Sequence, residues 1–461
     1  MSTGSIVQSR ARHEEIRTAL QQSPLVALRE MLTDADILEA CQACGHTFRR
    51  RRYGPVVTVL HFLAQSLQRE TSFAATWQQL WTPLAADFPE LASQVTGTSA
   101  LTHARGRLPA TVLEHLAAQV CSRTAHQATA TWRGLRLRAL DATTVSMPRE
   151  KVLFKHFGTH RARTTTVRYP LATFACLLEL TTSLILDYRF GPFDPGEKKT
   201  AIPLLRSLGQ GDLVLADRGF AGSPSLARIK ETGAHFLMRK HARLKVGNLP
   251  RLQRLGREDF ITELAMSKPA RKKDSSLPDT VRVRLFRVRW CTPAGEKVDE
   301  WFVTSLENHR RFKKLTLAKL YHLRWRIETS YQEFKITFHT DVLRSKTVAN
   351  VYKEFAAHVL GYLLVRLVMV EAARKHDKKP TQISLLAAAR WVVSFSQRMA
   401  YTPAWLLPAL YQRLLDAVAA SEIDIRPGRL EPRALTREWK HYPHLRTTRS
   451  EWRTERLRDA S

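Results

Sequence analysis

Residues 212–220 read DLVLADRGF, a four-residue apolar run from Leu213 to Ala216 that stops abruptly at Asp217, Arg218 and Gly219. A strand that is apolar on both alternating faces needs cover on both, as a buried, largely parallel strand has. The segments around it supply that cover. GLRLRALDATTV, starting at Gly134, alternates Leu135, Leu137 and Ala139 with Arg136 and Arg138, then reaches Asp141. That is strand periodicity. YPLATFACLLEL (169–180) and SLILDYRF (183–190) are two more apolar strands, EKKTAIPLLRSLG (197–209) is a helix closed by Gly209, and AHFLMRK (234–240) is a further strand. The order β-β-β-α-β-α-β predicts an α/β domain with a mixed sheet. From about 241 to 310, TVRVRLFRVRW and EKVDEWFVTSLE alternate as strands beside the polar loop RKKDSSLPD, which reads as an all-β insertion in that domain.

At 461 residues the chain has room for two or three domains. Residues 11–127 carry helical periodicity with breaks at Pro24, Pro55, Pro83, Pro89 and Pro109. The cluster RRRRYG (49–54) inside it is either a solvated helix end or a phosphate-contacting surface. Helices follow at about 349–374, 382–398 and 403–420, then a basic polar tail. The expected layout is a helical DNA-binding domain at 1–130, a catalytic core at 131–348, a helical C-terminal region at 349–424 and the tail at 425–461. FAAHVLGYLLVRLVMVEAA (355–373) is interrupted by His358 and Arg366, so it reads as a buried core helix and no membrane partner is expected. The N-terminus lacks the apolar stretch of a signal peptide, and the protein is expected to be soluble and cytoplasmic.

Charge narrows the partner. With 73 Lys and Arg against 42 Asp and Glu the formal charge is +31, and the arginines are spread along the chain. Self-repulsion on that scale is usually relieved by a polyanion, which makes nucleic acid the expected partner over a membrane surface. The cysteines, Cys41, Cys44, Cys121, Cys176 and Cys291, are odd in number and scattered, so no disulfide framework is expected. Cys41 and Cys44 form a single CxxC with His46 nearby but no second ligand pair, and read as two helix-borne thiols rather than a zinc site.

Three acids stand out in this basic background. Asp141 ends the first strand, Asp217 ends the buried one, and Glu328 lies in YHLRWRIETSYQEFK (321–335). On a helix turning about 100° per residue, Tyr321, Arg324, Glu328 and Lys335 share an arc of roughly 60°. Leu320, Leu323, Ile327, Phe334 and Phe338 form a second stripe about 95° away, so one stripe can face a core and the other a cleft. Taken singly, a strand-end Asp is an ordinary turn or cap acid, and Arg324 with Glu328 is an ordinary i,i+4 ion pair. Convergent carboxylates, however, are the hard oxygen donors that Mg²⁺ or Mn²⁺ takes, and paired ions about 3.5–4 Å apart can drive phosphodiester chemistry.

The motif YHLRWRIETSYQEFK resembles the Y-x2-R-x3-E-x6-K signature of bacterial insertion-sequence DDE transposases of the insertion sequence four type, with all four letters matched by Tyr321, Arg324, Glu328 and Lys335. LDATTV around Asp141 resembles the first acidic motif of that family, where Gly more often stands at Ala142, and LADRGF around Asp217 resembles the second. The likeness runs from about 131 to 370. It implies a ribonuclease-H-like catalytic core, with the β insertion at about 241–310, in which Asp141, Asp217 and Glu328 hold two Mg²⁺ ions, Mn²⁺ being a substitute. It implies phosphate contacts from Arg324 and Lys335, a phosphate or displaced-strand contact from Tyr321, and at Trp301 a receptor for a flipped base; Trp301 is equally readable as plain core. Trp325 is expected to pack. The implied activity is cleavage at transposon ends and strand transfer into target DNA, through a hairpin, by a homodimer on double-stranded DNA in the bacterial nucleoid. The competing readings are a catalytically inactive DNA-binding repressor descended from such an enzyme and a nuclease without strand transfer.

Overall fold

The computed structural model describes residues 25–29, 31–49, 53–68, 72, 74–79, 98–124, 130–159, 169–194, 196–291, 297–423, 447 and 449–459. Arg50–Arg52 of the basic cluster and residues 424–446 of the expected tail lie outside them. The chain forms two compact units: one gathers Met1–Val120, Val145–Ala172 and Glu333–Ser461, the other Cys121–Thr144 and Thr173–Gln332. This differs from the expected boundaries at 130 and 348, because the N-terminal and C-terminal helices share a core.

In the first unit, α1 (Asp34–Ala43) begins with a capping box in which the Asp36 amide donates to Thr33 and the Thr33 amide donates to Asp36. Helix α2 (Pro55–Leu67) is apolar and buried along nearly its whole length, and α3 (Ser99–Arg107) follows. What buries α2 is the 28-residue helix Val348–Lys375. A Cβ built on Gly361 of that helix would sit 2.6 Å from Ser66 Oγ on α2, so glycine is required for the approach. Lys353 of the same helix donates to the carbonyls of Arg105 (2.8 Å) and Gly106 (3.2 Å), serving the end of α3. It is the one described helix long and apolar enough to cross a membrane, but 89% of its most apolar window is buried in the unit. The described part of the expected tail includes a helix, Arg449–Asp459.

The second unit is built on a nine-stranded sheet of order β3-β2-β1-β4-β5-β9-β8-β7-β6. Its strands are β1 (Arg136–Ser146), β2 (Leu171–Glu179), β3 (Ile185–Pro192), β4 (Asp212–Ala216), β5 (His235–Arg239), β6 (Gln253–Gly256), β7 (Asp259–Ala265), β8 (Thr280–Cys291) and β9 (Lys297–Thr304). β4 is parallel to both β1 and β5 and buried at every position, as its apolar run requires. Val214 and Ala216 pack with Leu226 and Ile229 of helix Ser223–Glu231. The β1 alternation hides one surprise: Arg138 is buried, its Nε donating to Asp212 Oδ1 at 3.0 Å, and Asp212 also pairs with Arg136 at 2.9 Å. That carboxylate fixes the register in which β1 and β4 run side by side.

The expected all-β insertion at about 241–310 is not a separate layer. Strands β6–β9 continue the same sheet, joined to it by the antiparallel pairing of β9 on β5. A short helix, Lys268–Lys273, interrupts them. The chain then returns through α4 (Lys314–Tyr321) and α5 (Trp325–Phe338).

Candidate active site

The register of β1 on β4 puts two of the three acids at one edge. Leu140 pairs with Ala216 in parallel, and the next residues are Asp141 and Asp217. Asp217 keeps extended backbone (φ −71°, ψ 161°) and its side chain caps nothing in the turn that follows. Asp141 does not end its strand as expected, since β1 runs on to Ser146 past the last β1–β4 pair, whereas Asp217 does follow the end of β4. Neighbouring strands lie about 4.8 Å apart, so the two acids are neighbours in register.

Two tyrosines, one on either side of Glu328, tie its part of the chain to the same strands. The Tyr321 hydroxyl donates to the carbonyl of Ala216 at 3.2 Å, beside Asp217. The Tyr331 hydroxyl donates to the carbonyl of Asp141 itself at 2.6 Å. Between these tethers Arg324 Nη1 lies 2.8 Å from Glu328 Oε1, with Arg324 buried and Glu328 38% exposed.

The signature does not lie on one continuous helix. A 3₁₀ turn at His322–Arg324 separates α4 from α5, and its tighter winding of about 120° per residue breaks the expected wheel. Tyr321 therefore turns inward: it is 3% exposed and packs edge-on against Phe302 at 5.3 Å. Trp325, expected to pack, is 54% exposed, with the Arg324 guanidinium 5.1 Å from its ring. Lys335 sits two turns past Glu328, in the part of α5 assigned to the first unit. Trp301 on β9 is half-buried on the sheet core, edge-on to Phe260 at 6.2 Å and with Arg287 5.8 Å from its ring.

Burial pushes the Asp141 carboxyl up to about 6. The Ala142 amide (2.9 Å) and the Arg324 charge oppose that rise, and the charges of Glu328 and Glu197 add to it. Glu197, at the start of helix Glu197–Ala201, was not singled out in the sequence because nothing in its spacing ties it to the three acids. Since the folded carboxyl binds its proton more tightly than the unfolded one, ionised Asp141 destabilises the fold above about pH 6, and the penalty fades as pH falls toward 3.8. Asp141→Asn is expected to raise the melting temperature of chelator-treated protein at pH 7.5, with the gain shrinking as pH is lowered through 6. An equal shift at both ends of a pH series of melting curves would contradict it.

Tyr331 was also missed, although it stands three residues after Glu328. It is buried, receives the Cys176 thiol at 3.4 Å, and burial pushes its own hydroxyl well up, so it stays a donor. Tyr331→Phe should cost about 1 kcal/mol by removing that buried bond, and DNA cleavage should fall with it. Melting curves and cleavage assays on the same preparation check both.

Among the described residues no three His, Cys, Asp or Glu side chains form a ready metal cage. Carboxylates are nevertheless the donors that a hard divalent ion takes, and Asp141 lies close enough to Glu328 for their charges to interact. Arg324 supplies the cation that Glu328 now faces. Acids in register on β1 and just past β4, with a helix-borne carboxylate tied to the same strands in a strongly basic chain, are the arrangement expected of a metal-dependent enzyme of phosphodiester chemistry. The chain belongs to the family described as the transposase DDE domain, whose sequence model matches residues 132–364. It is 28% identical over 460 residues, spanning 96% of this chain and 98% of the relative, to "Transposase InsG for insertion sequence element IS4" of Escherichia coli (strain K12). It is also similar, at a TM-score of 0.41 and 11% identity over 88% of this chain and 86% of the other, to piggyBac transposase in a synaptic complex with hairpin DNA. The protein is a DDE transposase of the IS4 type, and its catalysis depends on divalent metal.

Proposed function

We propose that this transposase cuts double-stranded DNA at the ends of its insertion sequence and joins the freed 3′-hydroxyl to target DNA, with Asp141, Asp217 and Glu328 as the ligands of two Mg²⁺ ions. The carrying observation is the pair of tyrosine bonds, Tyr321 to Ala216 and Tyr331 to Asp141, on either side of Glu328. They tie the helix that carries Glu328 to β1, which carries Asp141, and to the end of β4, which Asp217 follows. When bound, such ions activate the attacking water or hydroxyl and stabilise the leaving oxygen. The order β3-β2-β1-β4-β5 of the first five strands supports a ribonuclease-H-like core.

The roles of the flanking residues follow from their surroundings. Turning Glu328 from Arg324 toward the acids releases a guanidinium that can take a phosphate in bidentate fashion. Lys335 is assigned a second phosphate. The Tyr321 hydroxyl is already engaged by Ala216, so its part is to seat the helix beside Asp217. Trp301, packed on one side and approached by Arg287, is assigned a flipped base, with cleavage passing through a hairpin. Two protomers acting together on the DNA, in the cytoplasm at the nucleoid, complete the proposal.

Incubating the purified protein with DNA flanking its reading frame and Mg²⁺ or Mn²⁺, then mapping products on denaturing gels, tests it. Nicks at the ends, a hairpin and a joined strand are expected. Cleavage without joining would leave a nuclease, and no cleavage with either ion would overturn the assignment.

A further inference from the structure

In the first unit a cleft of about 510 Å³ opens between residues 46–49 and the end of α3, lined among others by His46, Phe48, Arg49, Tyr53 and Arg107. Among the described residues no carboxylate lines it. Helix α3 ends with two arginines whose positions differ by about 200° around the axis. Arg105 faces inward, donating to Gln65 Oε1 at 2.9 Å and lying 4.2 Å over the Phe62 ring. Arg107 faces out and is exposed, as is Arg49, and neither makes an ion pair among the described residues. Phe48 is 47% exposed beside them, its ring 5.9 Å from that of His46. Burial pushes the imidazole of His46 down, so at neutral pH the positive charge of the cleft comes from the two arginines.

We infer that this cleft is a clamp for the backbone of duplex DNA, in which Arg49 and Arg107 hold phosphates and Phe48 covers the sugar face between them. The inference rests on DNA being the substrate and concerns binding alone, at residues separate from the acids. Two unpaired arginines facing an acid-free hollow favour a ligand with repeated negative charge. An exposed phenyl ring lining the same cleft favours one with an apolar edge beside its anions, which a sugar-phosphate chain has and inorganic phosphate lacks.

The test measures affinity of the full chain for a labelled duplex of mixed sequence across a salt series without divalent metal. For Arg49→Ala with Arg107→Ala, the slope of log affinity against log salt should fall by about two units, near 0.9 for each lost phosphate. The paired Lys variants should keep the slope, and Phe48→Ala should weaken binding at unchanged slope. An unchanged slope in the double alanine variant, with melting curves showing it folded, overturns the clamp. So does complete displacement of duplex by a mononucleotide, which would assign the cleft to a small ligand. Because cleavage is not read, failure here is distinct from failure of the cutting-and-joining assay.

Discussion

Asp217→Ala is expected to abolish metal-dependent DNA cleavage, by about a thousandfold or more, while duplex binding and melting temperature stay near those of the unaltered protein. The physical basis is that the side chain does almost nothing for the fold. Its neighbours Leu213 to Ala216 are wholly buried and pair on both sides, whereas the Asp217 carboxyl caps no turn. With Asp217 as the metal ligand proposed above, its loss removes several kcal/mol of transition-state stabilisation, and about 4 kcal/mol is a thousandfold in rate. Glu328→Ala should match it in cleavage, but it also strips Arg324 of its partner, so a small change in stability is expected there. Single-turnover cleavage beside a binding assay separates the effects; wild-type cleavage by Asp217→Ala would remove it from the site.

The second large effect concerns stability. Arg284 on β8 is fully buried and forms a bidentate pair with Asp259, at 2.8 and 2.7 Å, while also donating to the carbonyls of Leu306 (3.3 Å) and Phe312 (2.8 Å). Arg284→Ala strands a buried carboxylate and two carbonyls at once and should cost about 3–5 kcal/mol. Replacing both partners, Arg284→Met with Asp259→Leu, should recover much of that loss, because no charge is then left unpaired. On the exposed face of the same strands, Arg287 and Arg289 pair with Glu258 and Asp299; removing Arg289 there should leave stability nearly unchanged, because solvent screens the pair. Thermal unfolding of the variants ranks them, and equal losses for Arg284→Ala and Arg289→Ala would refute the argument.

The placement of two of the proposed acids on neighbouring strands was legible in the sequence, although only Asp217 follows a strand end. LVLA followed by Asp217 and LRLRAL followed by Asp141 are breaks in apolar patterns, and the sheet sets them on neighbouring strands. The alternation at 280–290 and 296–307 showed strands, but alternation carries no information about which edge a strand joins, so the continuation of the sheet past β5 was hidden. The helix wheel failed at His322–Arg324 because a 3₁₀ turn has no distinct residue pattern, and with it went the placement of Tyr321 and the exposure of Trp325. Arg138 looked like a solvent-facing residue because its partner, Asp212, lies 74 residues away. The joint core of the N-terminal and C-terminal helices was invisible for the same reason: the contact of Gly361 with Ser66 spans most of the chain.

That joint core bears on how the protein is made. Helix α2 emerges from the ribosome long before the helix Val348–Lys375 that covers it, with the entire strand-bearing segment synthesised in between. A nascent polypeptide must carry the uncovered stretch VVTVLHFLAQSL until the later helix arrives, which exposes it to chaperones and proteases meanwhile. Translation that stops within the β8–β9 region would yield strands bearing Asp141 and Asp217 but neither Glu328 nor a completed first unit. A chain that stops there lacks both the helix that covers α2 and one of the three acids proposed for cutting.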